Sequence, residues 1–429
     1  MISILNRLRG MMGALLRTGF FSIVTSTLLN KVLVFMSGMV LVRVLSKNAY
    51  GAYSYAINII NYFILLNGLG TSSCVVQYCV EQNEAEKSER VYRLLCSMGC
   101  LWDFLLTAAI VFTALFVELP IEGSAQLLLI LAPYPLLSLV VDYQQQRLRS
   151  LFRNSEYSWS TNINTVLVVA FSIVGAMLAS SSGLVVGRSI AMLASAIAAL
   201  LLFRVSVHLE WVHTEKTIFL DILKMSLTVC LTNAVSQLLI LLGTTLVGSI
   251  LGEGEAVATY STATSIPFAL SFIPSMLVTY SAPYFVKNAH DRHWVLRSWT
   301  IGTVGLAAIC LIITIVSIAV SGWLIPLLFG AQYRDAVPAF NLMMIAFAVG
   351  APLRTFSGNI LATHRKYGFN LISGLISLAA CYIGTMFLVP SLGIEGAAIG
   401  YLAAMVAGAI INVGGVLVFS GRPTAHEVL

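Results

Sequence analysis

The stretch from Ser298 to Ser321 reads SWTIGTVGLAAICLIITIVSIAVS and contains no lysine, arginine, aspartate or glutamate. Because an α-helix rises about 1.5 Å per residue, a run of this length can cross the roughly 30 Å hydrocarbon core of a bilayer. A helix is the expected form, since it satisfies its own backbone polar groups within lipid. The stretch therefore predicts a membrane-spanning helix.

Comparable apolar runs recur along the whole chain. Of the 429 residues, 58% are hydrophobic and only 10% are charged, against roughly 25% charged residues in an ordinary soluble domain. The fold class predicted is an all-α integral membrane protein with about twelve transmembrane helices. The predicted spans are 19–45, 50–78, 93–117, 124–143, 162–180, 183–203, 221–250, 256–284, 298–321, 336–356, 369–389 and 393–419.

The lysines and arginines predict the orientation of these spans. If the N-terminus is cytoplasmic, the outside loops hold only Arg43, Lys47 and Arg334, and most of the 24 basic residues fall inside. This bias predicts twelve helices with both termini in the cytoplasm. The net charge of +6 is then a signal of topology, and no nucleic-acid partner is expected. The first apolar run carries Lys31 and has no convincing cleavage site, so we expect a retained helix.

The two halves of the chain resemble each other. STLLNK at Ser26–Lys31 parallels TVCLTNA at Thr228–Ala234, and each is followed by a long apolar run. The repeat predicts two six-helix bundles, an N-terminal one over 1–206 and a C-terminal one over 207–429, around a central cavity. Transporters built from such repeats hold their substrate between the halves.

Four segments carry a resemblance to a known family. They are RVLSKNAYGAY at Arg43–Tyr53, LNGLG at Leu66–Gly70, LFGAQY at Leu328–Tyr333 and LVPSLGIEGAA at Leu388–Ala398. In order, spacing and setting they resemble the polysaccharide flippases of the multidrug/oligosaccharidyl-lipid/polysaccharide exporter superfamily. The resemblance implies a flippase that moves undecaprenyl-pyrophosphate-linked repeat units, as for O-antigen or lipopolysaccharide, across the bacterial cytoplasmic membrane. It also leaves room for contacts within the membrane with a polysaccharide polymerase and a chain-length regulator.

Lys31 is the most informative candidate, because it lies near the middle of the first span, where an ionised side chain costs at least about 2.5 kcal/mol. With Asn30 it belongs to a polar stripe expected to face a wet lumen, where Lys31 would attract the pyrophosphate of the lipid carrier. Asp103 is the carboxylate deep within an apolar span. It would either pair with Lys31 or take up protons during transport.

The other candidate site residues are less specific indicators of function. Asn58, Asn233 and Gln237 offer amides to sugar hydroxyls, although amides also bridge membrane helices. Arg188 would meet a phosphate or sugar near the exit, or else extend to lipid headgroups. In the eighth span, Pro267 and Pro274 predict either a hinge for opening the cavity or a static kink.

Two other function classes remain open at this point. A drug or cation antiporter of the same superfamily should favour acidic over basic cavity residues. An integral membrane polymerase or transferase needs clustered carboxylates, histidines or metal ligands, whereas the six histidines are scattered: His208, His213, His290, His293, His364 and His426. The chain has no Walker-type loop, so no nucleotide, metal or other cofactor is expected. The seven cysteines lack CxxC spacing and are expected to be buried thiols.

Overall fold

The chain folds entirely into helices and connecting turns over the residues that the computed structural model describes, which are 20–82, 84–210, 216–288, 290–364 and 367–419. The α-helices are α1 (Phe20–Val44), α2 (Lys47–Ile64), α3 (Thr71–Val80), α4 (Ala85–Phe116), α5 (Ser124–Leu131), α6 (Tyr134–Ser150), α7 (Asn154–Phe203), α8 (Lys216–Leu251), α9 (Gly254–Ala269), α10 (Phe272–Lys287), α11 (Arg292–Phe329), α12 (Val337–Val349), α13 (Ser357–Thr363), α14 (Tyr367–Leu392) and α15 (Ile394–Phe419). Short 3₁₀ turns cover Asn67–Gly70 and Ala331–Ala336, and a π-helical turn covers Gly350–Phe356. The predicted all-α fold class is confirmed.

Helix α7 is a hairpin that accounts for the fifth and sixth predicted spans. Its helical geometry is interrupted at Ala179 (φ −144°) and at Ser180 (φ 52°). A Cβ atom added to Gly175 would lie 2.1 Å from the carbonyl oxygen of Gly183, and one added to Gly187 would lie 2.1 Å from that of Phe171. The chain therefore reverses at the break, and its two arms pack backbone to backbone.

Helices α14 and α15 form the corresponding hairpin in the second half. The turn lies at Gly393, which has a φ of 58°. A Cβ atom on Gly384 would lie 3.0 Å from the Cα atom of Gly400, and one on Gly396 would lie 2.4 Å from the carbonyl carbon of Leu388. Both halves of the sequence repeat thus end in a glycine-packed helical hairpin.

Ten helical segments of the described residues are long and apolar enough to cross a membrane. One of them is the α7 hairpin, and the apolar part of α8, Gln237–Leu251, is counted separately because it is shorter. Several predicted spans are each built from two helices joined by a break, such as α2 with α3 and α9 with α10. These numbers are consistent with twelve crossings, and the chain is a multi-pass membrane protein.

Contacts within the chain define two compact units. The first comprises residues 1–45, 59–119 and 123–233, and the second comprises residues 46–58, 120–122 and 234–429. Helix α2 is thus shared, with its first residues in the second unit. The predicted bundles, 1–206 and 207–429, are defined by the sequence repeat and stay a prediction.

Each unit has its own buried apolar cluster. In the first unit, Tyr92, Leu95 and Tyr143 pack with Ile222, and in the second, Leu239, Ala346 and Met405 pack around Cys381. All seven cysteines are free and buried, as predicted. Large apolar side chains stay exposed on the outer helix faces, including Phe116 (71%), Leu178 (82%) and Phe387 (79%). In a membrane protein such residues face lipid.

Candidate functional site

The second predicted span is broken at Leu66–Gly70, between α2 and α3. Three successive residues are left-handed there: Gly68 (φ 55°), Leu69 (φ 50°) and Gly70 (φ 79°). An L-residue in this conformation costs roughly 1–2 kcal/mol, so Leu69 holds strain that its surroundings must offset. A break of this kind leaves backbone N–H and C=O groups without helical partners inside the membrane.

Close packing explains why glycines occupy this break. A Cβ atom on Gly68 would lie 2.6 Å from Cδ1 of Leu139, and one on Gly70 would lie 2.6 Å from the carbonyl oxygen of Ser226. The second of these neighbours is backbone of α8, which cannot move aside as a side chain can. Gly70 is therefore required both by its conformation and by the close approach of α8.

Asp103 of α4 stabilises the backbone of the break at Leu66–Gly70. Its carboxylate is fully buried (0% exposed) and accepts a hydrogen bond of 2.7 Å from the backbone nitrogen of Gly68. With the Asn67 amide turned so that its nitrogen faces α4, that nitrogen also donates to both oxygens of Asp103. Nε1 of Trp102 donates to the carbonyl oxygen of Leu66 at 2.8 Å. Among the described residues Asp103 forms no ion pair with Lys31, which is one of the two alternatives predicted for it.

Hydroxyl groups complete the support of the break. Oγ1 of Thr71 donates to the carbonyl oxygen of Gly68 at 2.6 Å and lies 2.5 Å from the hydroxyl of Tyr143. The Tyr143 hydroxyl in turn donates to the carbonyl oxygen of Leu95 at 2.7 Å. Freed backbone groups in lipid are tolerated only when protein groups of this kind satisfy them.

Helix α8 packs against the same break. Oγ of Ser226 lies 3.2 Å from Sγ of Cys74, and Sγ of Cys230 donates to the carbonyl oxygen of Leu65 at 3.1 Å. The side chain of Asn233 lies outside the described residues, and Gln237 is exposed on α8. The substrate contacts predicted for these two amides stay predictions.

Lys31 and Asn30 point in different directions from α1. Helix α1 packs against α7, and Nδ2 of Asn162 donates to Oγ of Ser26 at 3.1 Å. Asn30 is buried, and neither atom of its amide has a hydrogen-bond partner within the described chain. Lys31 is exposed and forms no ion pair or hydrogen bond with the residues described. The predicted stripe is thus divided between a buried amide and an exposed ammonium group.

Two further predicted residues contact protein groups. Nδ2 of Asn58 donates to Oγ1 of Thr245 at 2.7 Å and to the carbonyl oxygen of Leu241 at 3.2 Å, which joins α2 to α8 within the second unit. The guanidinium of Arg188 lies 5.4 Å from the ring centroid of Tyr134, in a cation–π contact. Both observations favour a structural contribution, and the predicted substrate contacts stay predictions.

The two prolines of the eighth span flank a break. Pro267 is buried near the end of α9, and Pro274 lies in the first turn of α10. Residues 270–271 separate the two helices. Each proline lacks the N–H that would continue the helical hydrogen bonds. The hinge prediction therefore has a defined location, although its movement is untested.

Arg354 is a residue whose surroundings the sequence misrepresents. The predicted span 336–356 placed it at a helix end, whereas the continuous segment runs over Ala331–Thr363. Arg354 lies inside that segment, in the π-helical turn Gly350–Phe356. The apolar run looks shorter in sequence because Ser357, Asn359 and Thr363 follow the arginine.

Charged groups of both signs lie within the helical segments. Among the described residues, no group of three or more histidine, cysteine, aspartate or glutamate side chains is placed to hold a metal ion. The charged side chains within the segments include the carboxylate of Asp103, which accepts from Gly68, a second carboxylate at Asp142 of α6, and cationic groups at Lys31, Arg188 and Arg354.

The fold is similar to that of several membrane transporters of known structure. The chain is similar to "Lipid II flippase MurJ, inward closed conformation", with a TM-score of 0.73 and 16% identity over 92% of this chain and 87% of the other. It is also similar to an inward-facing multidrug resistance MATE family transporter of the MOP superfamily, with a TM-score of 0.69 and 13% identity over 92% and 96%. These likenesses define the fold as that of the MOP superfamily.

A third similar structure concerns the polarity of the binding pocket. It is a MOP superfamily transporter from Pyrococcus furiosus, described as having a binding pocket of reverse polarity that suggests a different function. The match has a TM-score of 0.57 and 14% identity over 93% of this chain and 92% of that one.

The sequence itself defines the family. The chain belongs to the polysaccharide biosynthesis protein family, whose model matches residues 16–289, more than half of the chain. A comparison with curated proteins found no match.

Proposed function

We propose that this protein is a flippase for undecaprenyl-pyrophosphate-linked oligosaccharide repeat units, moving them from the cytoplasmic to the outer leaflet of the bacterial cytoplasmic membrane. The observation that carries the proposal is membership of the polysaccharide biosynthesis family combined with a fold similar to that of a lipid II flippase. Both point to a polar headgroup that must cross the bilayer while its lipid tail stays in it.

The sign of the charge within the membrane supports an anionic headgroup. Lys31 is a cation within a membrane span that is exposed and unpaired among the described residues. Asp103, by contrast, is buried and committed to Gly68. A basic residue left available and an acid taken up by the fold suit a pyrophosphate better than an organic cation. Asn30, Gln237 and Arg188 are the further residues that we propose for the headgroup.

The proposed mechanism is alternating access between two six-helix bundles. The chain would act as a transporter and not as an enzyme, with both termini in the cytoplasm. Its partners would be the lipid-linked substrate, the bilayer and, within the membrane, a polysaccharide polymerase and a chain-length regulator.

Deletion of the gene in its host tests the proposal. We expect loss of surface glycan and accumulation of lipid-linked repeat units on the cytoplasmic side. Wild type and Lys31→Arg should restore export, and Lys31→Ala should not. Lys87→Ala, which removes an exposed lysine paired with Glu84, is the matched control and should complement fully. Restoration by Lys31→Ala would show that this charge is dispensable.

A drug or cation antiporter is the second candidate, because MATE transporters share the fold. The two candidates differ in a direct assay. Efflux of cationic dyes, together with unchanged surface glycan in the deletion strain, would favour the antiporter. A membrane polymerase would instead be indicated by glycan polymerisation by the purified protein alone.

A further inference from the structure

Arg354 occupies an irregular turn within the apolar helical segment Ala331–Thr363. The π-helical turn Gly350–Phe356 includes Pro352, which has no N–H and cannot donate to the preceding turn. A wider turn accommodates the missing hydrogen bond. Such π-turns are rare and occur often at functional sites. Arg354 follows Pro352 by two residues, so the irregularity sets the direction in which its side chain leaves the helix.

Helix α15 fixes Arg354 from the other side. Nδ2 of Asn412 donates to the carbonyl oxygen of Arg354 at 2.9 Å. A Cβ atom on Gly408 would lie 2.6 Å from Cδ and 2.7 Å from Nε of Arg354. The arginine side chain therefore passes directly over the backbone of Gly408, and any larger residue at position 408 would displace it. Helix α15 thus binds the backbone of Arg354 through Asn412 and borders its side chain at Gly408, where a Cβ atom would also lie 2.5 Å from Oγ of Ser377.

The guanidinium has no ionic partner among the residues that the structure describes. It forms no hydrogen bond or ion pair with the described residues, and its Nε is buried without a partner. After Arg292 the sequence contains only three carboxylates, at Asp335, Glu395 and Glu427. Asp335 pairs with Lys47 at 2.6 Å. Glu395 precedes Asn412 on the same helix by 17 residues, which corresponds to about 25 Å.

An oriented but unpaired cation in a membrane segment is costly unless a ligand supplies the missing charge. We propose that Arg354 is a binding residue for a phosphate group, received through the paired donors of its guanidinium. Arginine matches phosphate because its planar donors reach two oxygens at once. The phosphate belongs either to the diphosphate of a lipid-linked substrate, in which case the inference rests on the proposed function, or to an anionic phospholipid headgroup.

Binding to the purified full-length chain tests this inference separately from export in cells. Native mass spectrometry would measure apparent affinities for two probes, undecaprenyl diphosphate and phosphatidylglycerol. We expect Arg354→Gln to weaken binding of undecaprenyl diphosphate at least tenfold, and Arg354→Lys to weaken it less. Gly408→Ala keeps the charge but displaces the side chain, so it should also weaken binding. Arg90→Gln, at an exposed arginine paired with Glu86, should bind as wild type does.

The outcomes separate the two sources of phosphate. Weaker binding of phosphatidylglycerol alone would support the phosphate site and assign it to a lipid headgroup. Unchanged binding of both probes by folded Arg354→Gln, or no binding of either by wild type, would overturn the inference. An intact surface glycan after gene deletion would refute the proposed function and leave these binding results standing.

Discussion

Asp103 is a buried carboxylate of α4 that lies at the break between α2 and α3. Its Oδ1 accepts a hydrogen bond from the backbone nitrogen of Gly68. With the Asn67 amide turned, the nitrogen of that amide donates to both carboxylate oxygens. A carboxylate is suited to this place because it accepts several hydrogen bonds at once. Asp103 therefore stabilises the break between α2 and α3.

Replacing Asp103 should reveal this contribution in the stability of the protein. Asp103→Ala leaves the buried N–H of Gly68 without an acceptor, which costs about 1–3 kcal/mol. Asp103→Asn keeps one oxygen and should be destabilised less. We expect the unfolding temperature in detergent, measured by tryptophan fluorescence, to be highest for wild type, lower for Asp103→Asn and lowest for Asp103→Ala. Equal unfolding temperatures for wild type and Asp103→Ala would show that Asp103 does not stabilise the break.

Asn30 allows the opposite kind of test. Its buried amide has no partner within the described chain, so the fold gains no hydrogen bond from it, and an unpaired buried amide is itself costly. We expect Asn30→Leu to unfold at a temperature no lower than wild type and yet to export less glycan, because the proposed ligand contact is lost. A lower unfolding temperature would instead assign Asn30 to packing against α7.

At the scale of the elements, the break at Leu66–Gly70 shows why helix interruptions escape sequence analysis. Hydropathy predicts one span over 50–78, because the segment LNGLG does not interrupt the apolar composition enough to be noticed. The interruption is instead stabilised by residues distant in sequence, on α4 and α6 and at Ser226 of α8. Periodicity reports which residues are apolar, whereas the break depends on tertiary partners.

The glycine at position 70 can be compared with a matched glycine elsewhere. Gly70 and Gly123 have similar φ angles of 79° and 76°, but only Gly70 has a close neighbour, the carbonyl oxygen of Ser226. Gly123→Ala should cost only the conformational strain, about 1–2 kcal/mol. Gly70→Ala should cost clearly more, because α8 must move. Equal losses in unfolding temperature would show that the close approach of α8 contributes nothing.

The break between α9 and α10 gives a prediction about movement. If residues 270–271 act as a hinge, replacing Pro267 and Pro274 together with alanine should restore helical hydrogen bonds and stiffen the segment. We expect reduced glycan export at normal levels of folded protein, measured by complementation and by size-exclusion chromatography. Unchanged export would show that the two prolines form a static kink and not a hinge.

The scale of the whole molecule is where sequence reasoning succeeds best. The all-α fold and most of the spans follow from hydropathy, because the bilayer imposes length and polarity on every crossing. Individual site residues were harder to place. Polar residues follow Arg354, so its span looks in sequence as if it ends there. For Asn58 the sequence leaves sugar binding and helix packing open, and in the structure its amide contacts Thr245. Hydropathy cannot distinguish a polar group that binds a ligand from one that joins helices.

The predicted topology can be tested with reporter fusions. Alkaline phosphatase is active only outside the cytoplasm, so fusions after Gly252 and Gly330 should be active and fusions after Val207 and Asp291 inactive. These signs depend on α7 crossing the membrane twice. If α7 crossed once, the activity of every fusion from Val207 onward would be reversed. Matched expression of each fusion, measured by immunoblot, is the control.

The glycine-packed hairpin of α7 has a consequence for biogenesis. Residues 154–178 and 181–203 are joined by a two-residue break with almost no polar loop, and their backbones touch at Gly175 and Gly183. Neither arm offers the translocon a hydrophilic segment between them that would be secreted on its own. We therefore expect the two arms to enter the lipid together, as one helical hairpin.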